Sequence, residues 1–239
     1  MKVKTKKSIA EIINAYNFLV KGLDQQAKLE KSRAYGGVLR QAKGALVETI
    51  CSGLIQVAWD ELEVKDKKLN FSTKKIKIPI KQGYIDKIKD EQLKEYIKKN
   101  IDKYFYGLRV DKHIYIDDKF CFAVECKAYT ENAMLKRILV DFTLLKTVFP
   151  DSDFVLFQLE SQLGGDYSDA NIKIKTGSPS TQTLISYFDI DLVIITLLEG
   201  ERKISQPIHK PEFFKELNEK SIIESFNFFK GILIKHLID

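Results

Sequence analysis

Five times in this chain an acidic residue is followed two positions later by a lysine: Glu63/Lys65, Asp66/Lys68, Asp117/Lys119, Glu125/Lys127 and Glu201/Lys203. With 39 basic and 33 acidic residues among 239, chance produces most such pairs. Context singles out one. The pairs at 63–68 lie in a charged run, Asp117/Lys119 falls in a polar turn, and Glu201/Lys203 follows a strand. Only Glu125 and Lys127 interrupt an apolar stretch, FCFAVECKAY, that reads as a strand. A carboxylate there can ligate a hard cation. A lysine beside it can stabilise negative charge that develops next to that cation.

The second carboxylate comes from strand pairing. Residues 109–116 and 120–128 flank Asp117-Asp118-Lys119 and read as a β-hairpin. With the turn centred on Asp118, residues whose numbers sum to 236 stand opposite one another, so Asp111 faces Glu125. Alternation puts Phe120, Phe122, Val124 and Cys126 on the core side and Cys121, Ala123, Glu125 and Lys127 on the other. Two carboxylates converging on one point are costly without a cation between them, and all-oxygen ligation favours Mg²⁺. Such a set suits phosphodiester hydrolysis, with an activated water as nucleophile and charge stabilisation from Lys127.

Asp111-x13-Glu125-Cys126-Lys127 on a hairpin, followed by a helix and a buried strand, resembles the PD-(D/E)xK nuclease core, and within it a type II restriction endonuclease. The resemblance spans about residues 40–198, with Val110 where a proline often precedes the aspartate. It implies that Asp111 and Glu125 are metal ligands and Lys127 the catalytic lysine. Glu48 is the only charged residue from Gly44 to Trp59. It matches the place where the family often carries an acidic residue aimed at the metal, which makes it a third expected ligand. A helix-surface glutamate, or one paired with a buried Arg, is the alternative reading of Glu48.

Several elements must position these groups. Helices are expected over 8–30 and 38–60, a short strand over 75–80 and a basic-faced helix over 85–104. Thr130 is expected to cap a helix running to about 148 and closed by Pro150. Strands follow at 154–159 and 190–198, parallel to each other, with a helical tail over 210–237. The expected fold is α/β: a mixed central β-sheet flanked by helices, in one nuclease domain. That domain comprises a helical N-terminal segment (1–60), a catalytic core (104–198) and a C-terminal tail (208–239).

Double-stranded DNA is the expected partner, and a homodimer suits symmetric sites. Net charge is +6, which fits a polyanionic partner. The DNA-contact candidates are Asn171, Lys173, Lys175, Ser178, Ser180 and Thr181 in the polar stretch 161–181, with Arg40 and Lys43 on the second helix. The lysine-rich stretch 65–103 reads as a solvated face, His113 as a packed histidine, and the Phe-rich tail as core or dimer interface. Cys51, Cys121 and Cys126 show no zinc spacing and fit a reduced protein, with Cys121 and Cys126 on opposite strand faces. No leader pattern or spanning segment is evident, so a cytoplasmic protein is expected. A repair nuclease such as a junction resolvase, or a non-catalytic DNA-binding module, are the alternative readings.

Overall fold

The computed structural model describes residues 1–29, 33–164, 177–203, 205 and 211–238; over 21–41 and at Pro211 it describes backbone only. Two long helices open the chain, α1 (Val3–Leu29) and α2 (Arg33–Leu62). Strands β1 (Leu69–Ser72) and β2 (Ile76–Pro79) come next, then the short helices α3 (Gln82–Asp86) and α4 (Glu91–Lys99). The single basic helix expected over 85–104 is thus two. Asp90 divides them, because its carboxylate accepts from the N–H groups of Gln92 and Leu93 and starts a new helix there.

A second departure matters more for function. The strand expected over 109–116 starts only at Lys112, and a strand that was not expected precedes it. Strand β3 (Phe105–Leu108) pairs with β2 in a small separate sheet, whereas β4 (Lys112–Ile116) belongs to the main sheet. Arg109, Val110 and Asp111 carry the chain from one sheet to the other. Beyond them run β5 (Lys119–Glu131), α5 (Asn132–Lys146), β6 (Asp153–Gln162), α6 (Pro179–Ser186), β7 (Leu192–Thr196) and α7 (Glu219–Ile238).

The main sheet has the order β1-β4-β5-β6-β7, antiparallel from β1 to β5 and parallel from β5 to β7. This is the expected mixed α/β architecture, including the parallel pair β6 and β7. Strand β1 was not anticipated: four residues, LNFS, carry too little pattern within a lysine-rich run. Thr130 does not cap α5. It is still in strand β5, paired with Ser161, and its buried hydroxyl has no partner among the described residues.

Helices cover both faces. On one side α5 places Leu135, Ile138, Leu139, Phe142 and Leu145 over Ala123, Phe154 and Leu156. Their i, i+3, i+4, i+7 spacing forms the apolar stripe that a sheet face requires. On the other side α1, α2 and α7 enclose Phe122, Val124, Val155 and Phe157. Phe226 and Phe229 of the tail are buried there, which bears out core packing for these aromatics. Each is worth ~1.5–3 kcal/mol of burial.

Candidate active site

The hairpin turn is Asp117-Asp118, and Asp117 takes a left-handed φ of 52° that matches the twist of a two-residue hairpin. The turn is anchored to the chain entering β1: Asp117 Oδ1 accepts from the Lys68 N–H at 2.9 Å. Near the turn, opposed residues sum to 235 (Ile116 with Lys119, Tyr115 with Phe120). A register shift between Ile114 and Tyr115 then leaves Cys121 as an extra residue, and Ile114 pairs with Phe122. The sum becomes 236 from there onward, which brings Asp111 to Glu125 as expected. The expected faces were right for Phe122, Ala123, Val124, Glu125, Cys126 and Lys127 but wrong for Phe120 and Cys121. The bulge turns Phe120 toward the α5 side, stacked on Phe149 at 4.1 Å, and turns Cys121 into the α2/α7 core. Cys121 and Cys126 therefore share a face instead of opposing one another. All three cysteines are free and buried.

Asp111 precedes β4 and so has no strand partner to satisfy. Its N–H donates to Glu125 Oε2 at 3.3 Å, and its Oδ2 accepts from the Cys126 N–H at 2.8 Å. Lys127 Nζ lies 2.6 Å from Glu125 Oε1 and 3.1 Å from Asp111 Oδ2. Both carboxylates thus already converge on one cation. The side chains are 27% (Asp111), 13% (Glu125) and 29% (Lys127) exposed, so the cluster is sunk in the surface yet reachable.

Burial pushes the Glu125 carboxyl up, and neighbouring Asp111 adds to this against the pull of Lys127. Burial alone would lower Lys127. The two carboxylates outweigh it and hold its ammonium above the ordinary lysine value. His113 shares this face, fully buried with its ring against Phe120. Burial first, then the charge of Arg109, lowers it to about 4, so it is a neutral packed histidine at neutral pH. Behind the strand, the hydrogen bond with Cys51, then burial, then the charges of Asp111 and Glu48 all raise the Cys126 thiol.

Glu48 does lie on α2 near this cluster, but its carboxylate is engaged elsewhere. Lys112 Nζ sits 3.0 Å from Glu48 Oε2, and the glutamate side chain is 39% exposed. Glu48 is thus a paired helix glutamate, but its partner is Lys112, with a side chain 16% exposed, and not a buried Arg. Among the described residues no group of three ligand-type side chains is close enough to hold a metal ion. Asp111 and Glu125 are a two-carboxylate set, which suits Mg²⁺ when substrate phosphate and water supply the remaining oxygens.

The DNA-contact candidates fare unevenly. Asn171, Lys173 and Lys175 lie outside the described residues, as does the side chain of Arg40. Lys43 is 1% exposed, buried on α2 where no duplex can reach it. Thr181 is also buried, with its hydroxyl on Asn132 Oδ1 (2.7 Å) and the Leu163 carbonyl (2.9 Å). Ser178 is the N-cap of α6, and Ser180 Oγ accepts from Asn132 Nδ2 at 3.0 Å. These hydroxyls stitch the end of β6 to the start of α5. Gly164 permits that seam: at φ 79° its missing Cβ would collide with Ser178.

Two residues beside Lys127 were not anticipated. Gln158 stands next to it on β6, buried, with Nε2 on Thr196 Oγ1 and Oε1 without a partner among the described residues. Asp141 on α5 is raised by burial and feels the Lys127 charge. Gln158 was legible as a polar residue at a core-facing position of its strand, whereas Asp141 flanks the apolar stripe of α5 and pairs with Arg137, so no such signal marked it.

A mixed α/β sheet that presents an Asp/Glu/Lys set from a hairpin is the frame of a DNA-cutting enzyme. The type II restriction enzyme DdeI of Desulfomicrobium norvegicum is 54% identical to this chain over 222 residues, covering 91% of the chain and 92% of the relative. The chain therefore belongs to the type II restriction endonucleases, and it is an endodeoxyribonuclease. No family model matches. A solved structure described as the native BbvCI A2B2 tetramer at low resolution covers 98% of both chains at 10% identity, with a TM-score of 0.36, too low to bear on the fold. No helix among the described residues is long and apolar enough to cross a membrane.

Proposed function

We propose that this endonuclease cuts duplex DNA at specific sites in a Mg²⁺-dependent reaction centred on Asp111, Glu125 and Lys127. The observation that carries this reading is the convergence of two carboxylates on a single cation, Lys127 Nζ, at 3.1 and 2.6 Å. Asp111 and Glu125 would hold the ion, which when bound polarises phosphate and eases deprotonation of an attacking water.

The chain's own residues do the rest. The bonds from the Asp111 N–H to the Glu125 carboxylate and from the Cys126 N–H to the Asp111 carboxylate fix both acids before substrate arrives, so little reorganisation is needed. Lys127 donates hydrogen bonds and positive charge to the phosphoryl oxygens or the incoming water, where charge grows in the transition state. Glu48 supports the site through Lys112, the residue directly after Asp111. Two copies acting on the two strands of a symmetric site fit the one-centre-per-chain arrangement.

The test is incubation of purified protein with long duplex DNA, with and without Mg²⁺. Discrete fragments only with the metal are expected. Metal-independent cutting would remove the carboxylates' role, and a smear would remove site specificity.

A further inference from the structure

Residues 74–109 contain eleven basic and five acidic side chains. Their net +6 is the whole net charge of the chain, because the remaining 28 basic and 28 acidic residues cancel. The positive field thus originates in one unit, formed by β2, α3, α4 and β3. Its placement follows from pairing. Ile76 with Leu108 and Ile78 with Tyr106 share one face of the small sheet. Ile78 and Leu108 are buried in the cluster beneath α5. Lys77 with Gly107, and Pro79 with Phe105, must then occupy the outer face.

Two cations are held on that face. Lys77 Nζ rides 4.4 Å above the Phe105 ring. The Lys75 stem lies across Gly107, where an added Cβ would come within 3.3 Å of its Cδ. Arg109, exposed, follows two residues later, close enough to His113 for its charge to be felt there, and Asp111 follows two residues after that. Lys94 and Lys99 of the same unit spend their charge on Glu91 and Glu95. Among the described residues no acidic side chain is within ion-pair reach of Lys75, Lys77 or Arg109. Unneutralised like charges gathered on one face attract a polyanion and steer its approach.

We propose that the outer face of the small sheet, through Lys75, Lys77 and Arg109, grips the phosphate backbone of duplex DNA where it runs into the catalytic hairpin. The proposal rests on the reading of the chain as a duplex-DNA endonuclease. Ammonium groups contact phosphates without reading bases, so this surface supplies sequence-independent affinity, and readout of the site falls to other residues.

The experiment measures affinity for a labelled mixed-sequence duplex by fluorescence anisotropy, in Ca²⁺, across a series of salt concentrations. Lys75→Gln/Lys77→Gln should flatten the slope of log affinity against log salt by about 1.8, from ~0.9 per phosphate contact. Arg109→Gln should remove roughly another 0.9. Lys4→Gln/Lys6→Gln removes the same charge from exposed positions on α1, in the opposite layer, and should leave the slope unchanged. Melting temperatures near wild type confirm that the surface variants are folded. A wild-type slope in Lys75→Gln/Lys77→Gln, or an equal loss in both double variants, overturns the proposal. Cleavage is read separately: wild-type protein that cuts no duplex defeats the endonuclease reading, whereas normal cutting with unchanged slopes defeats only the phosphate grip.

Discussion

The N–H of Asp111 donates to the carboxylate of Glu125, while the carboxylate of Asp111 accepts from the N–H of Cys126, the next residue along. Each acid therefore satisfies backbone of the other's segment. The pair closes the gap left where β4 stops short of Asp111 and β5 runs on. The same two groups that would carry a cation also hold the end of the hairpin together.

Structure and chemistry at Asp111 can be separated for that reason. Asp111→Asn keeps an oxygen for the Cys126 N–H and loses the charge. Asp111→Ala loses both. Cleavage should vanish in each, but thermal or urea unfolding should distinguish them: about 1–3 kcal/mol lost for alanine, where a buried N–H is stranded, and less than about 1 kcal/mol for asparagine. Full activity in Asp111→Asn would remove Asp111 from the metal site.

Lys127 binds no metal in this scheme, so its removal should spare affinity and damage the chemical step. Lys127→Ala is expected to slow single-turnover cleavage on the order of 10²-fold or more, with duplex affinity in Ca²⁺ close to wild type. A loss of affinity that matches the loss of rate would make Lys127 a phosphate anchor instead.

Much of this site was legible in the sequence, because Glu125 and Lys127 are charges inside an apolar strand and a charge there needs a reason. The pairing of Asp111 with Glu125 was reached through two compensating features. The turn is one residue tighter in sum than expected, and the bulge at Cys121 restores the count. Nothing in FCFAVECKAY marks a bulge, since Cys121 and Phe122 are both acceptable core residues. The faces of Phe120 and Cys121 could only come from three-dimensional packing.

The break between β3 and β4 was equally hidden. The sequence reads as a strand only over 109–116, and it is the pairing with β2 that shows 105–108 to be another strand in a separate sheet. Lys43 and Thr181 misled for a related reason: polar type suggested surface, yet tertiary contacts bury both. The charge of 74–109, by contrast, was countable from the start. What the count lacked was the pairing that places Lys75 and Lys77 on one face.

Glu48 tests the reach of the site. Its ion pair with Lys112 holds the residue that follows Asp111. Glu48→Gln should raise the Mg²⁺ concentration needed for half-maximal cleavage by roughly tenfold, as removal of supporting contacts around a ligand does, while the plateau rate is nearly kept. A metal titration at fixed DNA decides it. A collapse of the plateau at every Mg²⁺ concentration would make Glu48 a direct ligand, and an unchanged titration would leave the pair with a purely structural role.

The start of β6 is pinned to the end of α7 by Asp153. Its carboxylate takes Lys235 Nζ at 2.8 and 2.9 Å and His236 Nε2 at 2.8 Å. Burial alone would raise its pKa. The bonds and charges of His236 and Lys235 outweigh burial and hold it below the ordinary carboxylate value. A depressed folded pKa means that the carboxylate stabilises the fold fully above the unfolded value, about 3.9, and that this contribution fades as pH falls through the lower folded value. Wild-type protein should therefore lose stability steeply below about pH 4. Asp153→Asn should be less stable than wild type at neutral pH and decline less on acidification, because it has no such proton to gain. Urea midpoints measured for both proteins from neutral to acid pH should converge at the acid end. Parallel curves, separated by the same interval at every pH, would show that the Asp153 charge does not hold α7 in place.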